Sequence, residues 1–535
     1  FRDKPASAYA KRFREEHARR YRLVNPRDTS YLRSEGWISR MMDRMRGEEY
    51  VKRRIYDTIR DHTPVNIFPR EVDFAEWETL RRYPLLNWNM GMVYRLVERD
   101  QRIYPQGELA RRTIGLTGDK GNYGIEEAYR EELAGRDGKA LRQRIARGFY
   151  GRVAGGGHED PEDGYDVVTT LDLDLQDVAD KALRRQLEAQ NAIWGTTIVM
   201  EVETGEILAM ANLGRSGSSG GSYYERENYA LGRSMEPGST FKLVQGLIGL
   251  QEGVLRPTDL HVCHEGYQAG RRRMKCHSHA SPLDLRFAVA TSCNAYFCYV
   301  FRDILDNPKY GNVKEGYDAW KEYVESFGFG RKLGSDFLDE RDGYVPDRGW
   351  YDRQYRGSWN SLTVISLAIG QDALGCTPLQ LANLAAIVAN RGYYYIPHIV
   401  KKVEGRDSLD RRFYERHYTK VDPKHFEPIV EGMWRGVNVG GTSTRARLEG
   451  LDVCGKTGTA ENPRGRDHST FLSFAPKDNP KIAISVYVEN GGFGASAALP
   501  IASLLEEYYL TDTIRRPELL QYIKDMNIYY PAYDK

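Results

Sequence analysis

From Ser239 onward the apolar residues fall at Phe241, Leu243, Val244, Leu247 and Ile248. That period predicts a buried helix with Ser239 in its first turn, set off by the breakers Pro237 and Gly238. The same period marks Leu175, Val178, Ala179, Ala182, Leu183 and Leu187, then Ala288 to Val300, then Thr377 to Ala389, which stops at Asn390-Arg391-Gly392. Strands are predicted at Val167 to Leu171 and at Val453 to Thr459. Two hairpins are predicted as well: Thr197 to Val202 with Glu206 to Met210, and Phe471 to Pro476 with Lys481 to Glu489. A helix from Pro500 to Tyr508 closes the series. The pattern is α+β: an antiparallel sheet with helices on both faces and the Ser239 helix at the centre.

Before about Gly164 the pattern is weaker. Short segments carry many charges, with one apolar strip between Arg81 and Arg95. Tyr104-Pro105-Gln106-Gly107 reads as a turn, and Gly121, Gly124, Gly135 and Gly138 mark further turns. Gly155-Gly156-Gly157 and Pro161-Glu162-Asp163-Gly164 read as a linker. Two domains are therefore expected, 1–164 as a non-catalytic module and 165–535 as the main domain. Ser216 to Ser222 is a Gly/Ser loop.

Composition adds limits. The chain has 535 residues, 41% of them hydrophobic, and a net charge of +2, so large cores are expected and nothing points to nucleic acid. The first sixty residues are basic, with Lys11-Arg12-Phe13-Arg14 and Lys52-Arg53-Arg54. Such runs suit solvated helix faces or the neighbourhood of an anionic membrane. No apolar run approaches a membrane span, no signal peptide is visible, and the first residue is Phe1, which reads as the start of a truncated or processed chain. The 6 cysteines are too few for a disulfide scaffold.

Chemistry enters at three short motifs. Ser239 and Lys242 share one helix face, and a lysine on a buried face must be paired or lose its proton. A neutral amine beside a serine hydroxyl is a base beside its nucleophile. Alone, Ser-x-x-Lys is as compatible with a capping serine and a solvated lysine. Ser292-Cys293-Asn294 and Lys456-Thr457-Gly458-Thr459 follow in order, and the set of three is the signature of serine acyl-enzymes that act on D-alanyl peptides and β-lactams. Ser292 can relay a proton, Asn294 can hold the substrate backbone or the lysine, and Lys456 can meet a carboxylate. Thr457, Gly458 and Thr459 lie on a strand whose N–H groups can face an oxyanion together with that of Ser239.

On these residues the chain resembles class B penicillin-binding proteins over nearly its whole length. Gly121, Gly124, Glu126 and Leu133 resemble the family's pedestal motif, and Ile369-Gly370-Gln371 with Thr377-Pro378-Leu379-Gln380 resembles a turn and helix of the transpeptidase fold. Up to about Tyr229 the likeness is to division-type members of the Bacteroidetes lineage. From about Val244 it is to elongation-type members, most clearly at Asp467-His468-Ser469-Thr470-Phe471 and Val488-Glu489-Asn490-Gly491-Gly492. The chain thus reads as a natural or engineered hybrid. The resemblance implies a peptidoglycan D,D-transpeptidase, inhibited by β-lactams, that works in elongation or division and needs no cofactor. It implies stem peptides as substrate, a SEDS-family glycan polymerase as partner, and a place on the periplasmic side of the inner membrane behind an N-terminal membrane helix missing here. Carboxypeptidase or β-lactamase activity, or a non-catalytic β-lactam-binding role, are the competing readings. The Glu-x-x-Leu-Asn segment of class A β-lactamases is missing, and three complete motifs disfavour a scaffold.

One further cluster stands outside the motifs, the Cys-x12-Cys-His-x-His run from Cys263 to Cys276, His277 and His279. A Cys263–Cys276 disulfide is the first reading, worth about 3 kcal/mol by loop closure. A structural zinc on Cys263, Cys276, His277 and His279 is the second, and a metal thought to sit near here in some elongation-type relatives adds to it. Two unpaired thiols are the third. Cys293 reads as a tolerated middle residue of Ser-x-Asn.

Overall fold

The computed structural model describes residues 6–26, 41–42, 45–60, 72, 74–80, 82, 103–117, 121–146, 149–152, 157–217, 221–270, 272–462, 465–518 and 521. The chain divides into two compact units, Phe1–Ile103 and Tyr104–Lys535. The division falls earlier than the expected linker, so residues 104–164 belong to the same unit as the main domain. Most of the apolar strip predicted between Arg81 and Arg95 lies outside the described residues.

The first unit contains α1 (Ala6–Leu23), α2 (Glu48–Arg60) and α3 (Phe74–Leu80). Val51 and Ile55, four apart on α2, are buried, with Val24 packed against them. Among the described residues no helix is long and apolar enough to cross a membrane.

The second unit begins with short turns and the hairpin β1 (Arg142–Ala146) and β2 (Phe149–Arg152). The main domain then runs β3 (Val167–Thr169), α4 (Leu173–Gln190), β4 (Trp194–Glu201), β5 (Ile207–Arg215) and β6 (Tyr223–Tyr224). A 3₁₀ turn at Gly238–Phe241 leads into α5 (Lys242–Gln251). Next come β7 (Gly266–Ala269), β8 (Arg272–Lys275), α6 (Leu285–Ala290), α7 (Asn294–Leu305), α8 (Pro378–Ala389), β9 (Val400–Val403) and α9 (Phe426–Asn438). The chain closes with β10 (Cys454–Ala460), β11 (His468–Ala475), β12 (Ile482–Val488) and α10 (Ala498–Thr511).

Six strands make one antiparallel sheet in the order β10-β11-β12-β4-β5-β6, while β3 pairs with β9 in a separate two-stranded sheet. Alternate residues of the large sheet go to opposite faces. Val199, Ala211, Phe471 and Ile484 join Leu175, Leu183 and Leu187 of α4 and Leu499 and Leu505 of α10 in one core. Ile198, Met200, Leu472 and Tyr487 join α5, α7 and α8 in the other. Each fully buried Leu, Ile or Phe contributes roughly 1.5–3 kcal/mol, so both faces hold the sheet firmly. The predicted α+β sandwich is therefore the observed architecture.

Two local predictions change. The expected helix from Ala288 to Val300 is interrupted: α6 stops at Ala290, Ser292 takes a left-handed φ of 57°, and α7 starts at Asn294. The apolar pattern runs across the break because both helices face the same core. The predicted first α-turn at Ser239 is instead a 3₁₀ turn. The α8 start is as expected, with a reciprocal cap between Thr377 and Gln380 and Pro378 in the first turn.

One buried charge sits oddly in this frame. Glu506 of α10 is fully buried, and burial pushes its carboxyl up from 4.5 to about 8. The native state therefore holds a proton there that the unfolded chain releases above 4.5. The stability this gives is full below 4.5 and is lost as pH rises through about 8. Chemical denaturation of the Glu506→Gln variant across this range should show a flatter fall of stability with pH than the parent. An unchanged slope would remove Glu506 as its source.

Candidate active site

The three motifs come from three separate elements and meet in one place. Lys242 opens α5, Ser292 and Asn294 bracket the break between α6 and α7, and Lys456 to Thr459 lie on β10. β10 is an edge strand of the large sheet, so one of its backbone edges faces away from the sheet, and the Ser239 turn packs against this strand. The approach is close enough to need glycine. A Cβ on Gly238 would lie 2.7 Å from the Thr459 carbonyl oxygen, and one on Gly458 would lie 2.9 Å from the Thr240 methyl. On its other side the turn is tied by the Gly238 N–H, which donates to the Gly370 carbonyl at 2.9 Å. The Ile369-Gly370-Gln371 turn thereby holds the turn that carries Ser239.

Lys242 is completely buried. Its ammonium nitrogen donates to the Ser292 carbonyl at 2.7 Å, to Ser292 Oγ at 3.3 Å, and to Asn294 Oδ1. Lys456 is also buried and donates to Ser292 Oγ at 2.7 Å and to the Thr457 carbonyl at 2.8 Å. The Ser292 hydroxyl thus stands between two lysine amines. Burial pulls Lys242 down to about 8, against the opposing pull of the nearby sulfurs of Cys276, Cys293 and Cys298. Burial, and then the Lys242 charge, hold Lys456 well below the usual lysine range. Ser239 itself is half-buried, open to an incoming group.

Thr442 was not singled out by its sequence. It follows α9, its N–H donates to the Ala290 carbonyl at 3.1 Å, and its hydroxyl shares a hydrogen bond of 2.7 Å with that of Thr457. The only local sign is Gly440-Gly441, which allows a tight loop but says nothing of what the loop meets.

The Cys/His loop differs from both leading expectations. Cys263 and Cys276 are free thiols, so the Cys263–Cys276 disulfide is not formed. Their sulfurs instead converge with His279 and with Cys293, all ligand atoms lying within 4.8 Å of one another. His277 is outside this group and packs edge-on to the His279 ring. Cys293, read as a neutral middle residue, takes its place because the helix break turns it back towards the loop. Three sulfurs and one imidazole match the ligand types and number of a tetrahedral zinc site. His279 Nδ1 faces the Ala280 carbonyl at 2.7 Å, which leaves Nε2 for a metal, 3.3 Å from Cys276 Sγ. The Cys276 thiol is held well below the usual range by the Cys293 thiol first, with the Asn294 N–H and His279 adding to it.

Known proteins bear on this geometry. The model of the penicillin binding protein transpeptidase domain matches residues 195–505. The peptidoglycan D,D-transpeptidase MrdA of Acinetobacter baumannii is 28% identical over 488 residues, covering 78% of this chain and 67% of that protein. The crystal structure of Pseudomonas aeruginosa PBP2 in complex with WCK 5153 is similar with a TM-score of 0.58 and 28% identity, over 73% of this chain and 82% of that one. A chain from a study of structural coordination of polymerization and crosslinking by a peptidoglycan synthase complex is similar with a TM-score of 0.60 and 27% identity, over 72% of this chain and 69% of that one.

The lysine geometry yields a prediction of its own. An amine acts as a base only when neutral, so the rate at which a serine-acylating probe labels Ser239 should rise with pH through about 8, the point to which burial pulls Lys242. Lys242→Arg, charged at every accessible pH, should lose about 10²–10⁴-fold in rate and the pH step with it. A flat profile in the parent would exclude Lys242 as the titrating base.

Proposed function

This chain belongs to the penicillin-binding protein transpeptidase family, and we propose that it builds peptidoglycan cross-links through an acyl-enzyme on Ser239. The activity is that of a peptidoglycan D,D-transpeptidase of cell-wall synthesis, and the family's acyl transfer needs no cofactor. The observation that carries the residue roles is the Ser292 hydroxyl held between the buried amines of Lys242 and Lys456. When neutral, Lys242 donates two hydrogens to Ser292 and Asn294 and keeps a lone pair for the Ser239 proton. Ser239 Oγ then attacks the carbonyl of the penultimate D-Ala, and the N–H groups of Ser239 and Thr459 hold the oxyanion. The C–N bond breaks, and Ser292 passes a proton to the departing D-Ala amine. An amine of a second stem peptide attacks the ester and restores Ser239. Lys456 and Thr457 receive the terminal carboxylate, whose charge offsets the cost of the buried Lys456 ammonium. Thr442 orients the Thr457 hydroxyl for the same group.

Residues 1–164 are proposed as the pedestal module and 165–535 as the catalytic domain. The likeness to a chain of a peptidoglycan synthase complex supports a glycan-polymerising partner, which we take to be of the SEDS family, on the periplasmic side of the inner membrane. Cys263, Cys276, His279 and Cys293 are proposed to hold one structural zinc, supported by their convergence and by the His279–Ala280 contact. The ion would tie the loop that follows α5 to the turn carrying Ser292, with no part in acyl transfer.

Fluorescent penicillin should label the parent at one site, mapped to Ser239 by mass spectrometry, and Ser239→Ala should not be labelled. Stoichiometric labelling of Ser239→Ala would overturn the assignment. Elemental analysis should find one zinc per chain, and a strong chelator should lower the melting temperature. A metal-free protein whose melting is indifferent to added zinc would exclude the metal.

A further inference from the structure

Three thiols stand directly behind the Ser292–Asn294 turn, and they can react with one another as well as hold an ion. The Asn294 N–H donates to Cys276 Sγ at 3.3 Å, and Asn294 Nδ2 donates to the Lys275 carbonyl at 2.7 Å. Together these contacts turn the Asn294 amide so that its oxygen meets Lys242 Nζ. Cys293, between Ser292 and Asn294, places its sulfur within 4.8 Å of that of Cys276. Cys276 is half-buried, open to a small oxidant, while Cys293 is buried behind it. The remaining cysteines, Cys298, Cys376 and Cys454, are buried outside this group.

We propose that Cys276 and Cys293 form a reversible oxidation site, and that joining them draws the catalytic turn off Lys242 and slows acylation. The proposal rests on the Ser239 acyl-enzyme reading. The oxidant is a peroxide. The Cys276 thiolate attacks one peroxide oxygen, the O–O bond breaks, and the leaving oxygen takes a proton to become water or alcohol. The resulting sulfenic acid is attacked by the Cys293 sulfur, the S–O bond breaks, and a second water leaves with the Cys293 proton. Two sulfurs are oxidised by two electrons in all and one peroxide is reduced.

The consequence follows from bond length. A disulfide requires about 2.05 Å between sulfurs, so the two sulfurs must close from a separation of up to 4.8 Å, and Cys276 Sγ moves relative to the Asn294 N–H that it now meets at 3.3 Å. Cys293 is pulled as well, and with it its neighbour Ser292, whose left-handed φ of 57° is held only by the packing around it. The Asn294 amide and the Ser292 hydroxyl are then no longer aimed at the two lysines.

The test uses the reduced, purified chain treated with hydrogen peroxide, with disulfides mapped by non-reducing peptide mass spectrometry and acylation timed with fluorescent penicillin. A Cys276–Cys293 peptide should appear, the acylation rate should fall by about a hundredfold, as for a misplacement near 1 Å, and dithiothreitol should restore it. Cys263→Ser should keep both the linkage and the loss. Cys276→Ser, which retains an acceptor for the Asn294 N–H, should label at the same rate before and after peroxide. Absence of this linkage, a linkage without a change in rate, or a loss that persists in Cys276→Ser overturns the proposal. Reduced parent protein that fails to label at all sinks the Ser239 reading, and this inference with it.

Discussion

The Ser292 hydroxyl stands between two buried lysine amines, and much of the fold serves to keep it there. Lys242 and Lys456 each reach the same oxygen, at 3.3 and 2.7 Å, so their nitrogens are no more than about 6 Å apart. Two full charges at that separation repel by roughly 3 kcal/mol at an effective dielectric of about 20, before the larger cost of taking each from water. At least one amine is therefore driven towards neutrality, and a neutral amine beside a serine is what acyl transfer needs. A full charge on Lys456 disfavours one on Lys242, and the reverse.

Holding this arrangement takes rigid elements on every side. Lys242 is fixed by α5, whose apolar residues are buried. Lys456 is fixed by an edge strand paired along its length with β11. Ser292 is fixed by a break between helices that are each packed into the core. The glycines at 238 and 458 let backbones touch where side chains would keep strand and turn apart. The thiol group adds a tie from behind, because Cys276 and Lys275 bond the Asn294 backbone and amide. Positions that look passive in the motif are thus part of its mounting.

Much of the fold was legible. The 3.6-residue period found α4, α5 and α8, and the turn residues between apolar runs found both hairpins of the large sheet. Both signals come from local burial, which repeats along the chain. The helix break at Ser292 was not legible, because α6 and α7 present their apolar faces to one core and the pattern runs through unbroken.

By itself the sequence determined the strand and helix inventory, the three motifs and their order, and hence the class of chemistry, because these depend on residue type and short-range spacing. Only the tertiary structure decided which groups meet. Lys242 and Lys456 are far apart in the chain, and their shared hydroxyl follows from how α5, the Ser292 turn and β10 pack. Thr442 reaches Thr457 because α9 ends beside β10. Cys293 displaces His277 from the sulfur cluster because a left-handed Ser292 turns the chain back towards the loop. Such encounters join segments that do not neighbour one another in sequence, so spacing carries no record of them until packing sets the distances.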